Sequence, residues 1–177
     1  MLSILIPIHE FDVREFVKDL SLLSVALDQP CEIICLDDKS SDEYRALNSS
    51  IAALENVSYQ QSEINLGRSA VRNALADLAQ FDNLIFLDCD GKVVREDYLE
   101  KYAAISAYDV VYGGRIYQED RPVAAELNFH WYCGMAREEI PVSIRIQAPY
   151  KSFMTNNFMV KKSVYEDIRM DEKVKGY

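Results

Sequence analysis

The chain has 177 residues, 49% of them hydrophobic, and a formal net charge of −10 at pH 7. That length suits one domain whose apolar core needs no disulfide staples, and that hydrophobic content excludes a disordered chain. The acidic balance argues against a nucleic-acid partner and against charge-driven docking on anionic lipid, both of which need clustered Lys and Arg.

Strand-like and helix-like segments alternate from the first residue. Leu2–Ile8 (LSILIPI) is an apolar run with the content of a buried strand. Residues 12–27 place Val13, Phe16, Val17, Leu20, Leu23 and Leu27 at helical spacing. Residues 32–36 form a second strand that runs into Asp37-Asp38, and Ser41 or Asp42 caps a helix reaching about residue 54. Residues 57–60 are a third, weaker strand, and residues 67–79 a helix with Ala70, Val71, Ala74, Leu75 and Leu78 on one face. The fourth strand is 84–87 (LIFL), closed by Asp88-Cys89-Asp90; a helix over 98–105 and a strand at Val110–Tyr112 follow. After Tyr117 the pattern loosens. A helix over 129–137 carries Trp131, residues 140–150 are irregular, 157–160 is a short strand, and Ser163 caps a helix at 164–168.

This order, with continuous apolar strands, predicts an α/β fold: a mostly parallel, Rossmann-like sheet with helices on both faces. Ligands in such sheets bind outside the carboxyl ends of the strands. The polar clusters fall there, at residues 7–10, at Asp37-Asp38 and at residues 88–90, so one site built from all three is expected. The cysteines Cys31, Cys35, Cys89 and Cys133 show no paired CxxC framework for zinc. No secretory signal and no membrane-length apolar stretch is present, so the expected location is cytoplasmic, with room for a peripheral position on the inner face of a membrane.

Two carboxylates two residues apart at a strand end, Asp88 and Asp90, can project into one cleft. Hard cations such as Mg²⁺ and Mn²⁺ take oxygen ligands and keep phosphate oxygens in their shell. A carboxylate such as Asp38 can accept from a base N–H or a ribose hydroxyl, while Ser41 or Asp42 caps the helix beside it. Gly67 permits a tight turn into its helix, whose N-terminus favours anions. Arg68 and Arg72 share a face of that helix, either toward a diphosphate or toward a structural carboxylate.

In order and spacing these pieces resemble the GT-A-fold glycosyltransferases of family 2. SILIPIHE matches the family's first strand, EIICLDDKSSDE its Asp-Asp-Gly-Ser strand, NLGRSAVRN its Asn-x-Gly-x-x-x-Ala-Arg-Asn segment, and LIFLDCDGKV its Asp-x-Asp strand. The resemblance covers residues 2 to about 117 and resumes at TNNFMVKKSVYEDIRMDEKVKGY. It implies an enzyme of polysaccharide biosynthesis, of hexosyl- or N-acetylhexosaminyl-transferase type. Such an enzyme moves a sugar from a nucleotide-diphospho-sugar donor, here a UDP-sugar, to a hydroxyl of a glycan acceptor with inversion. It also implies residue roles. Pro7 and His9 line the base pocket, with Glu10 where Asn is usual; Asp38 contacts the base. Arg72 supports the diphosphate side, and Asp88 the ribose or metal environment, with Cys89 between the two carboxylates in the donor pocket. Asp90 is the principal ligand of Mn²⁺ or Mg²⁺, and Lys39 replaces the Gly of Asp-Asp-Gly-Ser.

The catalytic base of the family follows a Gly-rich turn, which places it past Tyr177; residues 1–177 are then one GT-A domain stopping before that motif, unless Asp171 or Glu172 is the base. His130 either contacts an acceptor sugar or belongs to a short helix, and Asn156 and Asn157 either touch the donor sugar or form a turn. Two other functions compete: DCDG also resembles the nucleophile motif of haloacid-dehalogenase-type phosphatases, and the chain could be a non-catalytic nucleotide-sugar-binding module.

Overall fold

The structure is a computed structural model that describes residues 1–151 and 153–174; the turn expected at Gly176 lies outside the described residues. Six strands form one sheet: β1 (Leu2–Ile8), β2 (Cys31–Asp37), β3 (Val57–Gln61), β4 (Asn83–Leu87), β5 (Val110–Tyr112) and β6 (Asn157–Lys161), in the order β3-β2-β1-β4-β6-β5. β1 to β4 run parallel, and β6 inserts antiparallel between β4 and β5. The helices are α1 (Arg14–Ala26), α2 (Asp42–Asn48), α3 (Arg68–Leu78), α4 (Tyr98–Ala104), α5 (Asn128–Arg137), α6 (Val142–Arg145) and α7 (Lys162–Ile168).

The period-2 alternation of the strands divides the core into two layers. Leu2, Ile4, Ile6 and Ile8 of β1 face Val13, Phe16, Val17 and Leu20 of the α1 region and Leu99 and Tyr102 of α4. Leu5 points the other way, into a cluster with Val71 and Leu75 of α3 and Tyr165 of α7. Both faces of β1, β2 and β4 are therefore covered, which is why these strands carry near-continuous apolar runs rather than a strict alternation. Each fully buried Leu or Ile contributes about 1.5–3 kcal/mol.

Two departures from the sequence expectation have local causes. The helix expected to reach residue 54 ends at Asn48 and continues as a 3₁₀ turn, Ser49–Ala53. The fully buried Asn48 side chain donates to Phe11 O and accepts from Val13 N–H, and the Ser49 and Ser50 hydroxyls bond back to Ala46 O and Leu47 O, which favours a tighter turn. The irregular stretch 140–150 contains the single turn of α6, begun by Pro141.

The register determines where a ligand can sit. Ile8 pairs with Asp37, and Leu87 pairs with Asn157, so the carboxyl ends of β1, β2 and β4 meet the start of β6 at one edge.

Candidate active site

The loops after β1 and β2 are laced together. Asp38 N–H donates to Ile8 O at 2.7 Å, and His9 Nδ1 lies 2.9 Å from Asp38 O. A carbonyl only accepts, so Nδ1 is the donor in this pair. Glu10, at φ +50°, donates its N–H to Ser40 Oγ, and its carboxylate accepts from Ser41 N–H at 2.5 Å and Ser41 Oγ at 3.1 Å. Glu10 thus supplies the acceptor at the start of α2 that a capping side chain usually provides. Lys39 stands at φ +57° and donates Nζ to Glu63 O at 2.7 Å; the turn keeps a left-handed residue although no glycine is there.

Asp38 is only 5% exposed. Its two carboxylate oxygens accept from Leu66 N–H at 2.5 Å and Gly67 N–H at 2.9 Å, holding the turn that opens α3. Gly67, at φ +83°, occupies the position before the helix that a β-carbon would strain.

From α3, the buried Arg72 donates to Arg68 O at 2.9 Å and pairs with Asp88 Oδ1 at 2.5 Å, while its Nε has no partner among the described residues. Burial pushes the Asp88 carboxyl up; Arg72 opposes that, and Asp90 adds to it. Asp88 N–H bonds to Asn156 O at 3.0 Å, tying the end of β4 to the start of β6. Burial, more than the neighbouring Asp90 and Asp88, holds the Cys89 thiol up at about 11, so this half-buried thiol is neutral at pH 7 and no nucleophile. Asp90 is exposed and has neither hydrogen bond nor ion pair among the described residues.

Asn73, one residue beyond Arg72, is a tether. Nδ2 donates to Met170 O and Glu172 Oε1, and Oδ1 accepts from Tyr165 O–H and Met170 N–H. It thereby fastens the segment bearing Asp171 and Glu172 to α3.

A cleft of about 1090 Å³ opens beside Asp88 and Asp90 and runs to Tyr98, Gly114, Arg145 and Asn156. Pro7, His9, Glu10, Asp38, Arg72 and Cys89 do not line it. Asn157 lines it with its amide engaged: Oδ1 accepts from Tyr98 O–H at 2.7 Å and Tyr102 O–H at 2.6 Å, and Nδ2 donates to Gly114 O at 2.8 Å. Asn156 Oδ1 is buried with no partner among the described residues. Trp131 Nε1 donates to Gln118 O at 2.9 Å, and neither it nor His130 lines the cleft. Sequence reading passed over Tyr98, Tyr102 and Arg145; the visible signal was the Gly113-Gly114 pair after a strand, a mark of close backbone approach.

Among the described residues no group of three or more His, Cys, Asp or Glu side chains is placed to hold a metal. Asp90, without a protein partner among the described residues, and Asp88 beside it nevertheless offer oxygen ligands that fit a cation such as Mg²⁺ or Mn²⁺.

A mostly parallel sheet covered on both faces, with aspartates at the ends of β2 and β4 and an Arg-bearing helix between them, is the GT-A architecture. The chain belongs to glycosyl transferase family 2, whose sequence profile matches residues 3–169. That membership removes the phosphatase reading of DCDG. Residues 1–349 of TarS from S. aureus superpose with a TM-score of 0.62 at 20% identity, over 99% of this chain and 51% of that one. The same protein in complex with UDP gives 0.61 at 18%, over 99% and 51%. The mannosyltransferase PcManGT from Pyrobaculum calidifontis, in complex with GDP-Man and Mn²⁺, gives 0.59 at 15%, over 98% and 48%. This chain therefore spans about half the length of these structures, and identities this low speak for the fold alone. No curated protein matches significantly. Among the described residues no helix is long and apolar enough to cross a membrane.

Proposed function

We propose that this chain is the donor-binding core of an inverting, metal-assisted glycosyltransferase that uses a UDP-sugar and a glycan hydroxyl. The observation that carries the reading is Asp90, an exposed carboxylate without a protein partner among the described residues, beside the Asp88–Arg72 pair at the end of β4. Pro7, His9 and Glu10 would form one wall of the nucleotide pocket together with Asp38, which is hydrogen-bonded to Ile8 and His9. Backbone amides take one acceptor site on each Asp38 oxygen, and the second lone pairs are offered to a donor such as the uracil imide N–H. Arg72, unpartnered at Nε, lends positive charge to the diphosphate side and keeps Asp88 in place. Cys89, between the two carboxylates in sequence, packs against the core beneath the pocket. Asp90, with Asp88 beside it, would hold Mg²⁺ or Mn²⁺, which when bound supplies charge to offset the leaving diphosphate.

In this reading the acceptor hydroxyl gives up its proton to a general base while its oxygen bonds to the anomeric carbon and the bond to the diphosphate oxygen breaks, and that single displacement inverts the centre. Glu172, held by Asn73, is a structural residue here.

Titrating UDP by calorimetry, with and without Mn²⁺, tests the assignment in wild type and Asp90→Ala. Mn²⁺ should tighten UDP binding in wild type only. Equal affinities in all four titrations would remove Asp90 from a metal site, and a preference for GDP or CDP would correct only the base.

A further inference from the structure

We propose that the acceptor entering the cleft is anionic, carrying a carboxylate or phosphate group that pairs with Arg145. This rests on the glycosyltransferase reading above, and deepens it by naming the acceptor class.

Four cationic side chains line the cleft: Lys92, Arg95, Arg115 and Arg145. Arg95 is held by Asp97 at 2.8 Å and Arg115 by Glu138 at 2.9 Å. Lys92 is exposed. Arg145 differs. It is half-buried, yet among the described residues no carboxylate lies within ion-pair distance of it. Among the described residues its guanidinium makes one hydrogen bond, from a terminal nitrogen to Tyr112 O, long at 3.5 Å, and its Nε is buried without a partner. A partly desolvated guanidinium with its donors unused is costly unless an anion completes it.

The position of Arg145 is built rather than incidental. Pro141 starts the single turn of α6, Pro141 O accepts from Arg145 N–H at 3.0 Å, and Arg145 is the last residue of that turn. Its guanidinium stacks over the Tyr112 ring at 4.8 Å. It also rests on Gly114, at φ +82°, where a β-carbon would lie 2.8 Å from both terminal nitrogens. The planar group is held on two sides, and a guanidinium so held presents a fork that matches carboxylate and phosphate oxygens. The unpartnered Asn156 Oδ1 in the same cleft is an acceptor for a sugar hydroxyl. The carboxylates on the lining are Asp88, Asp90, Glu119 and Glu139. Asp88 is taken by Arg72, and Glu139 accepts from Tyr117 N–H at 3.2 Å.

The test measures binding of methyl β-D-glucuronide, methyl β-D-glucoside 6-phosphate and neutral methyl β-D-glucoside to the whole chain in the presence of UDP and Mn²⁺. Wild type should bind at least one anionic probe about tenfold more tightly than the neutral one, the scale of one charge-assisted pair. Which probe gains tells carboxylate from phosphate. Arg145→Gln should remove the preference while UDP affinity stays at the wild-type value. Arg145→Lys should retain part of it, keeping the charge but losing the fork. Rising salt should shrink the wild-type preference, a readout that needs no variant.

The proposal is overturned if the neutral probe binds as tightly as both anionic ones, if all three fail to bind at millimolar concentration, or if Arg145→Gln keeps the preference. Displacement of the anionic probe by added UDP would also overturn it, since the anion would then occupy the diphosphate site. Loss of UDP binding itself would strike the donor assignment instead, and the probe comparison would still be read without nucleotide.

Discussion

Replacing Asp38 with Ala tests the clasp by which its carboxylate holds the turn into α3. Asp38 accepts from Leu66 N–H and Gly67 N–H, and the residue is 5% exposed. A hydrogen bond to a charged group contributes about 1.5–3 kcal/mol, so two amount to about 3–6 kcal/mol if fully lost. Leu66 and Gly67 are half-buried, so water recovers part of that for the freed amides. The expected loss is about 2–4 kcal/mol. Urea unfolding at 25 °C measures it, with UDP and uridine titrations on the same samples. Both ligands should weaken in Asp38→Ala, because the turn that opens α3 and positions Arg72 is loosened. Asp38→Asn keeps one acceptor oxygen and should lose about half as much. Stability of Asp38→Ala within about 0.5 kcal/mol of wild type, the range of an ordinary surface change, would refute the clasp.

Asn73→Ala removes four hydrogen bonds from a buried side chain and should cost about 3–4 kcal/mol in urea unfolding, at about 1 kcal/mol each; a loss below about 1 kcal/mol would mean the 170–172 segment is held by something else. Lys39→Gly relieves a left-handed residue at φ +57° and should gain about 0.5–1 kcal/mol, whereas a net loss would show that the ammonium on Glu63 O outweighs the backbone term. The Cys89 thiol, raised to about 11 chiefly by burial, should resist alkylation at pH 8 and react faster up to about 11; a rate that levels off near pH 8 would contradict its burial. In the unfolded chain that thiol ionises near 9.0, so the folded protein holds its proton more tightly. Its contribution to stability is then full below pH 9.0 and declines as pH rises toward about 11, a decline that Cys89→Ala should lessen.

What the sequence determined by itself is local. The apolar runs of β1, β2 and β4 are legible because a strand covered on both faces needs apolar side chains on both, which gives near-continuous rather than alternating runs. Asp37-Asp38 and Asp88–Asp90 are legible because carboxylates closing such runs have to sit at strand ends. Family membership follows from four such motifs in register. Tertiary structure decided what those residues touch. Nothing near Asp38 in sequence shows that its oxygens are taken by amides 28 and 29 residues on. Nor does anything near Asn73 show that it binds Met170, 97 residues away. The helix expected to reach residue 54 stops at Asn48 because that amide serves Phe11 and Val13, on another loop. The cleft is the plainest case: β6 inserts between β4 and β5, so Asp88, Gly114, Arg145 and Asn156 line one cavity from four separate stretches of chain. Hydrophobic periodicity is carried by neighbours in sequence and can be read there; hydrogen bonds and ion pairs are made between whichever groups folding brings within about 3 Å, and no local pattern records that.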